Sequence, residues 1–208
     1  MLDDFPHVFV ISDEIYERIT YDKGHVSFAA LPNQRDRTIT INGFSKSHSM
    51  TGYRLGYCAA PGEIIKACSK IQSQMTSSAS SISQHAALVA LSSVADSWMK
   101  DRVDELKDKR DLAYALLAKI PNISCPLPSG AFYLLPEVSH YYNKKTPSGR
   151  PVSDSHELCL ELLRDEKVAL VSGDAFGAPD TIRISYAASE ELITESITRL
   201  GRFLASLK

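Results

Sequence analysis

The sequence has no apolar run near the roughly 20 residues that a helix needs to cross a bilayer. Its 23 basic and 25 acidic residues almost cancel, leaving a net charge of -2. No general attraction to nucleic acid or to an anionic membrane is therefore expected. The first residues, MLDDFPHVFVISDEIY, lack the basic start and apolar middle of a secretory signal. They also lack the Arg/Ser-rich character of a transit peptide. Cys58, Cys68, Cys125 and Cys159 are scattered, with no paired spacing of the kind that holds a metal. They read as buried, reduced thiols in a reducing compartment, and no metal site is expected. No internal repeat is present.

What remains is an ordinary globular composition, 44% apolar and 23% charged over 208 residues. That is enough for one large domain or two small ones. The continuous apolar run at residues 8–11 predicts a strand buried on both faces. Further strands are expected at 38–42 and 55–59. Pro61 and Gly62 open a helix whose stripe is Ile64, Ile65, Cys68, Ile71 and Met75. The Ser-rich stretch at 75–83 reads as a packed loop, followed by one long helix over 84–119. Pro121, Pro126 and Pro128 end that pattern.

A strand is then expected at 131–135, a surface loop at 141–151, and a helix at 154–167 with Leu158, Leu162 and Leu163 inward. Strands at 168–172 and 182–187 lead to a last helix. Its N-cap is Ser189, and its stripe is Leu192, Ile193, Ile197, Leu200, Phe203, Leu204 and Leu207. Alternating strands and helices imply an α/β layer architecture. A boundary near residue 100 divides a parallel-sheet segment, residues 1–100, from a smaller C-terminal α/β domain, residues 101–208.

The most informative segment is GFSKSHSMTGYRLG at 43–56. Lys46 follows a strand among small and hydroxyl residues, and Arg54 comes eight residues later. A lysine amine that forms an imine must be reachable by an aldehyde and partly unprotonated. Partial desolvation and a cationic neighbour both push an ammonium pKa down, which favours the second condition. An arginine fork suits a phosphate, because it can bind two oxygens at once. A bare Ser-Lys pair is usually just a surface lysine, so the weight lies on the whole segment. SDEIY at 12–16 follows the first strand, and IRISYA at 182–187 lies near the far end. Alone, Asp13 could be a strand-end cap, Tyr16 a packing residue, and Arg183 an edge-strand arginine in a surface pair.

Together these segments resemble the class I/II aminotransferases, the fold type I pyridoxal-phosphate enzymes, and the resemblance runs from about Val8 to Leu207. It implies part of that family's large domain, a mostly parallel sheet with helices, plus the small C-terminal α/β domain. It also implies pyridoxal 5'-phosphate held as a Schiff base on Lys46. Asp13 then pairs with the pyridine nitrogen, and Tyr16 hydrogen-bonds the phenolic oxygen. Ser45 and Arg54 contact the phosphate, and Arg183 clamps the substrate α-carboxylate. PSGAFY at 128–133 resembles the family's Gly-Ala-Phe strand beside the active site, and VSGDAFG at 171–177 resembles its loop before the Arg183 strand. The sequence departs from the pattern at Gly43, where some members carry a phosphate-binding serine, and at His48, where an apolar or aromatic residue is usual. His48 reads as structural.

The implied activity is ping-pong transamination between an amino acid and a 2-oxo acid. The stretch at 67–90 resembles the aspartate/prephenate aminotransferases and points to aspartate, glutamate or prephenate as substrates. Two other readings stay open: a truncated, non-catalytic piece of such an enzyme, and another fold type I activity such as a lyase. The family's phosphate-binding turn, ring-stacking aromatic and phenolic-oxygen asparagine are expected upstream of this sequence. The resemblance further implies a homodimer, in the cytoplasm or, with an upstream transit peptide, in a plastid.

Overall fold

The computed structural model describes residues 2–208 and divides into two compact units, Met1–Val103 and Asp104–Lys208. The first contains a three-stranded sheet in the order β1-β2-β3: β1 (Val10–Asp13), β2 (Thr38–Gly43) and β3 (Gly56–Ala59). β1 and β2 run parallel, Val10 opposite Thr38 and Asp13 opposite Ile41. β3 returns antiparallel, with Gly56 opposite Gly43. These glycines are required by proximity. A Cβ on Gly56 would lie 2.9 Å from the Asn42 carbonyl oxygen, and one on Gly43 would lie 3.0 Å from that of Leu55.

The strand expected at 8–11 begins only at Val10, and it is not buried on both faces. Val10 and Ser12 are half-buried, while Ile11 and Asp13 are exposed, Ile11 by 68%. β1 is an edge strand with one face uncovered, which the apolar run could not reveal. Helix α1 (Gly62–Met75) forms where expected, but only the start of its stripe is covered. Ile64 and Ile65 are half-buried, whereas Cys68, Ile71 and Met75 are exposed.

The Ser-rich stretch is a short turn that already enters helix α2 (Ser81–Ala90), where Ser83 is buried and donates to the Tyr53 carbonyl at 2.7 Å. The single helix expected over 84–119 is two. A break at residues 91–93 separates α2 from α3 (Val94–Leu117). There the Ser92 hydroxyl donates to the Val89 carbonyl at 2.7 Å. Serine side chains compete with the helical ladder in this way, and hydrophobic spacing alone does not register it.

The second unit contains a three-stranded antiparallel sheet in the order β4-β8-β7: β4 (Tyr133–Leu134), β8 (Ile182–Ser185) and β7 (Val171–Ser172). β4 and β7 are shorter than the strands expected at 131–135 and 168–172. Ala131 has φ 58°, outside extended geometry, and Pro136 follows the strand. The stretch expected as a surface loop at 141–151 has structure of its own. β5 (Lys144–Lys145) pairs with β6 (Pro151–Val152), and Tyr141 and Thr146 are buried. Arg150 anchors it on Glu161 and, at 2.5 Å, on Asp165.

Helix α4 (Ser155–Glu166) is capped by Asp154, whose carboxylate accepts from the Glu157 N–H at 2.8 Å. Leu158 and Leu162 are buried as expected, but Leu163 is 45% exposed and Cys159 takes the inward place. Helix α5 (Glu190–Ser206) is capped by Ser189, which accepts from the Leu192 N–H. Its Ile193, Ile197, Leu200, Phe203 and Leu204 are buried, and Leu207 just beyond it is too, whereas Leu192 is 61% exposed. Each such side chain contributes about 1.5–3 kcal/mol when fully removed from water. No helix among the described residues is long and apolar enough to cross a membrane.

Candidate active site

Strand direction gathers the site residues of the first unit. β1 and β2 are parallel, so their C-terminal ends lie together, and antiparallel β3 begins at that same end. Asp13 is the last residue of β1. The turn after it, tied by the Ile19 N–H to the Tyr16 carbonyl at 2.8 Å, carries a half-buried Tyr16. β2 ends at Gly43, and the turn at 45–48 carries Ser45 and Lys46, both half-buried. Arg54 stands two residues before β3. A crevice at the carboxyl ends of parallel strands is where α/β sheets bind ligands.

Local geometry keeps these groups presented. The exposed Asp13 carboxylate accepts from the Ile15 N–H at 3.1 Å through Oδ1. The lysine turn closes with the His48 N–H on the Phe44 carbonyl at 3.2 Å, and that of Ser49 on Lys46 at 3.3 Å. Arg54 is exposed and left-handed, φ 53°, and donates to the Thr51 carbonyl at 3.1 Å. His48 has its Nδ1 2.8 Å from the Ser47 hydroxyl and its ring 5.4 Å from that of Phe44. Burial, aided by the positive charge of Arg18, holds its imidazole below the ordinary range, so it is a neutral packing group at pH 7.

Glu14, which no sequence motif singles out, is 4% exposed. Its carboxylate accepts from the Ser12 hydroxyl at 2.9 Å and from the Ser27 hydroxyl and Phe28 N–H at 3.0 Å. It also lies 3.0 Å from His25 Nε2. Burial pushes this acid up, but the bonds from Phe28, His25, Ser12 and Ser27 outweigh it and leave the group lowered. The effect is to pin residues 25–28 against the end of β1.

Arg183 belongs to the second unit, on β8, the central strand of its sheet. Its guanidinium carbon stands 4.5 Å from the Tyr133 ring centre and 4.1 Å from that of Phe176. Tyr133 and Arg183 also line a cleft of about 310 Å³. The sequence marked the segments bearing both rings without assigning either a role.

A family model for class I and II aminotransferases matches residues 3–200. The chain belongs to that family. An aspartate aminotransferase of Pinus pinaster is 44% identical over 206 residues, 98% of this chain and 42% of that protein. A bifunctional aspartate aminotransferase and glutamate/aspartate-prephenate aminotransferase of Petunia hybrida is 45% identical over 98% of this chain and 43% of its own length. Among solved structures, the aspartate aminotransferase of Rhizobium meliloti superposes with a TM-score of 0.94 at 41% identity, covering all of this chain and 52% of that one. An aromatic aminotransferase of Pyrococcus horikoshii superposes at 0.85 with 34% identity, over 95% of this chain and 51% of that one. The chain thus spans about half the length of the relatives it matches.

Proposed function

We propose that the protein acts in pyridoxal-phosphate-dependent transamination between an amino acid and a 2-oxo acid. The observation that carries this is the convergence of Asp13, Lys46 and Arg54 at one end of a single sheet. The donor set suits the cofactor: an amine for its aldehyde, a carboxylate for its ring nitrogen, and a guanidinium for its phosphate. When bound, pyridoxal phosphate supplies an electron sink for a deprotonated amino-acid Cα. Lys46 would hold it covalently and, once released, take the Cα proton as general base. Asp13 would keep a proton on the ring nitrogen, Tyr16 would bond the phenolic oxygen, and Ser45 would join Arg54 on the phosphate. Arg183 would receive the substrate α-carboxylate in its fork.

On this reading the first unit is part of the cofactor-binding domain and the second is the small domain. The pine and petunia relatives support aspartate, glutamate or prephenate as substrate class. A homodimer is proposed from the family alone, and sedimentation of the native protein tests it. For the cofactor, borohydride reduction of the loaded protein followed by peptide mass spectrometry should find the adduct on Lys46. An adduct on any other lysine would overturn the assignment.

A further inference from the structure

Arg183 is held in an uncommon way. Among the described residues, no carboxylate pairs with its guanidinium, which lies instead against two rings, Tyr133 at 4.5 Å and Phe176 at 4.1 Å. The two supports differ. Tyr133 is part of β4, hydrogen-bonded beside β8, and is half-buried. Phe176 is 48% exposed and sits outside the sheet, at the end of the 3-10 turn Gly173–Phe176.

Hydrogen bonds tie that turn at both ends. The Ser172 hydroxyl accepts from the Asp174 N–H at 3.2 Å and lies 2.7 Å from the Ser155 hydroxyl on α4. Gly177, at φ 71°, closes it with its N–H on the Asp174 carbonyl at 3.0 Å, and Ala178 donates to Gly173 at 3.0 Å. Phe176 is about half covered on this turn, and its ring lies against the cation.

We propose that Phe176 is a positioning residue for carboxylate binding: with Tyr133 it fixes the guanidinium of Arg183 without neutralising it. A protein carboxylate would also hold the arginine still, but it would compete with the ligand for the fork. Aromatic faces attract the cation and leave its N–H donors for an incoming carboxylate. A side chain fixed before binding loses less rotamer freedom when the ligand arrives. The inference rests on the reading of Arg183 as the carboxylate-binding residue. It adds that Phe176 sets affinity for the α-carboxylate common to all substrates, not the choice among side chains.

The test compares Phe176→Ala, Phe176→Leu and Phe176→Tyr in the cofactor-loaded protein. Succinate, a dicarboxylate that cannot react, is titrated by calorimetry, and KM and kcat are measured for an acidic and a neutral amino acid. Ala and Leu should each weaken succinate and raise KM about tenfold, with a smaller effect on kcat, while Tyr, which keeps the ring face, stays near wild type. The factor should be the same for both amino acids. A Leu variant with wild-type affinity would reduce Phe176 to apolar packing and overturn the inference alone. Losses confined to one amino acid would overturn it in favour of side-chain reading. A wild-type protein that binds no carboxylate would remove the role of Arg183 and this inference with it.

Discussion

Glu14 stands in the chain between two residues assigned to the cofactor, and its own carboxylate is fully engaged by Ser12, His25, Ser27 and Phe28. Because its folded-state pKa is lowered, the stability it contributes is complete above the ordinary carboxylate value of 4.5 and fades as pH falls through the lower folded value. Glu14→Gln should cost on the order of 2–3 kcal/mol at neutral pH and flatten the acid limb of a stability curve measured by urea at successive pH values. A steep acid limb in the variant would place the titrating group elsewhere. Asp13→Asn, by contrast, should leave folding alone. It should slow turnover by about 10³-fold, and near-normal turnover would leave Asp13 a strand cap. The difference in legibility between these two neighbours is physical. Asp13 and Lys46 lie in contiguous motifs whose chemistry the family resemblance implies. Glu14 and Phe176 draw their meaning from partners that only folding brings near, and of the cysteines expected to be buried Cys159 is, whereas Cys58 and Cys68 are exposed.

Among the elements, long amphipathic helices were the most readable. The stripe of α5 was expected almost residue for residue, since burial of one face needs only a period. Leu200→Ala should therefore cost about 2–5 kcal/mol in chemical denaturation, the usual range for a buried leucine, and a loss below 1 kcal/mol would show that the site collapses to fill the gap. Short elements were not readable. β5 and β6 have two residues each, too few to show any alternation, and their placement depends on Arg150 reaching Glu161 and Asp165 on α4. The break between α2 and α3 escaped for a related reason, because a hydroxyl bonded three residues back leaves the apolar spacing on either side undisturbed.

Across the whole molecule, apolar burial is uneven. The buried apolar side chains of the first unit, among the described residues, are Ile19, Phe44, Ala87 and Met99, whereas the second buries a continuous series from Ala113 to Leu207. Amide hydrogen exchange of residues 1–208 should show β1–β3 exchanging well before α4 and α5. Equal protection would mean that the sheet end bearing Lys46 is as firmly held as the helical core. Thiol reactivity should follow the same division. Burial pushes the Cys159 thiol up to about 11, so iodoacetamide should label exposed Cys58 and Cys68 in the native protein and reach Cys159 only on unfolding. One glycine of the second unit bears on inheritance. A Cβ on Gly173 would fall 2.0 Å from the Thr181 hydroxyl and 2.3 Å from the Ala178 carbonyl oxygen, so the backbone itself would have to shift. Every missense change of a glycine codon adds at least that carbon. A lineage exploring new substrates has no incremental step open at this site, and variation in the surroundings of Arg183 must enter through other codons, that of Phe176 among them.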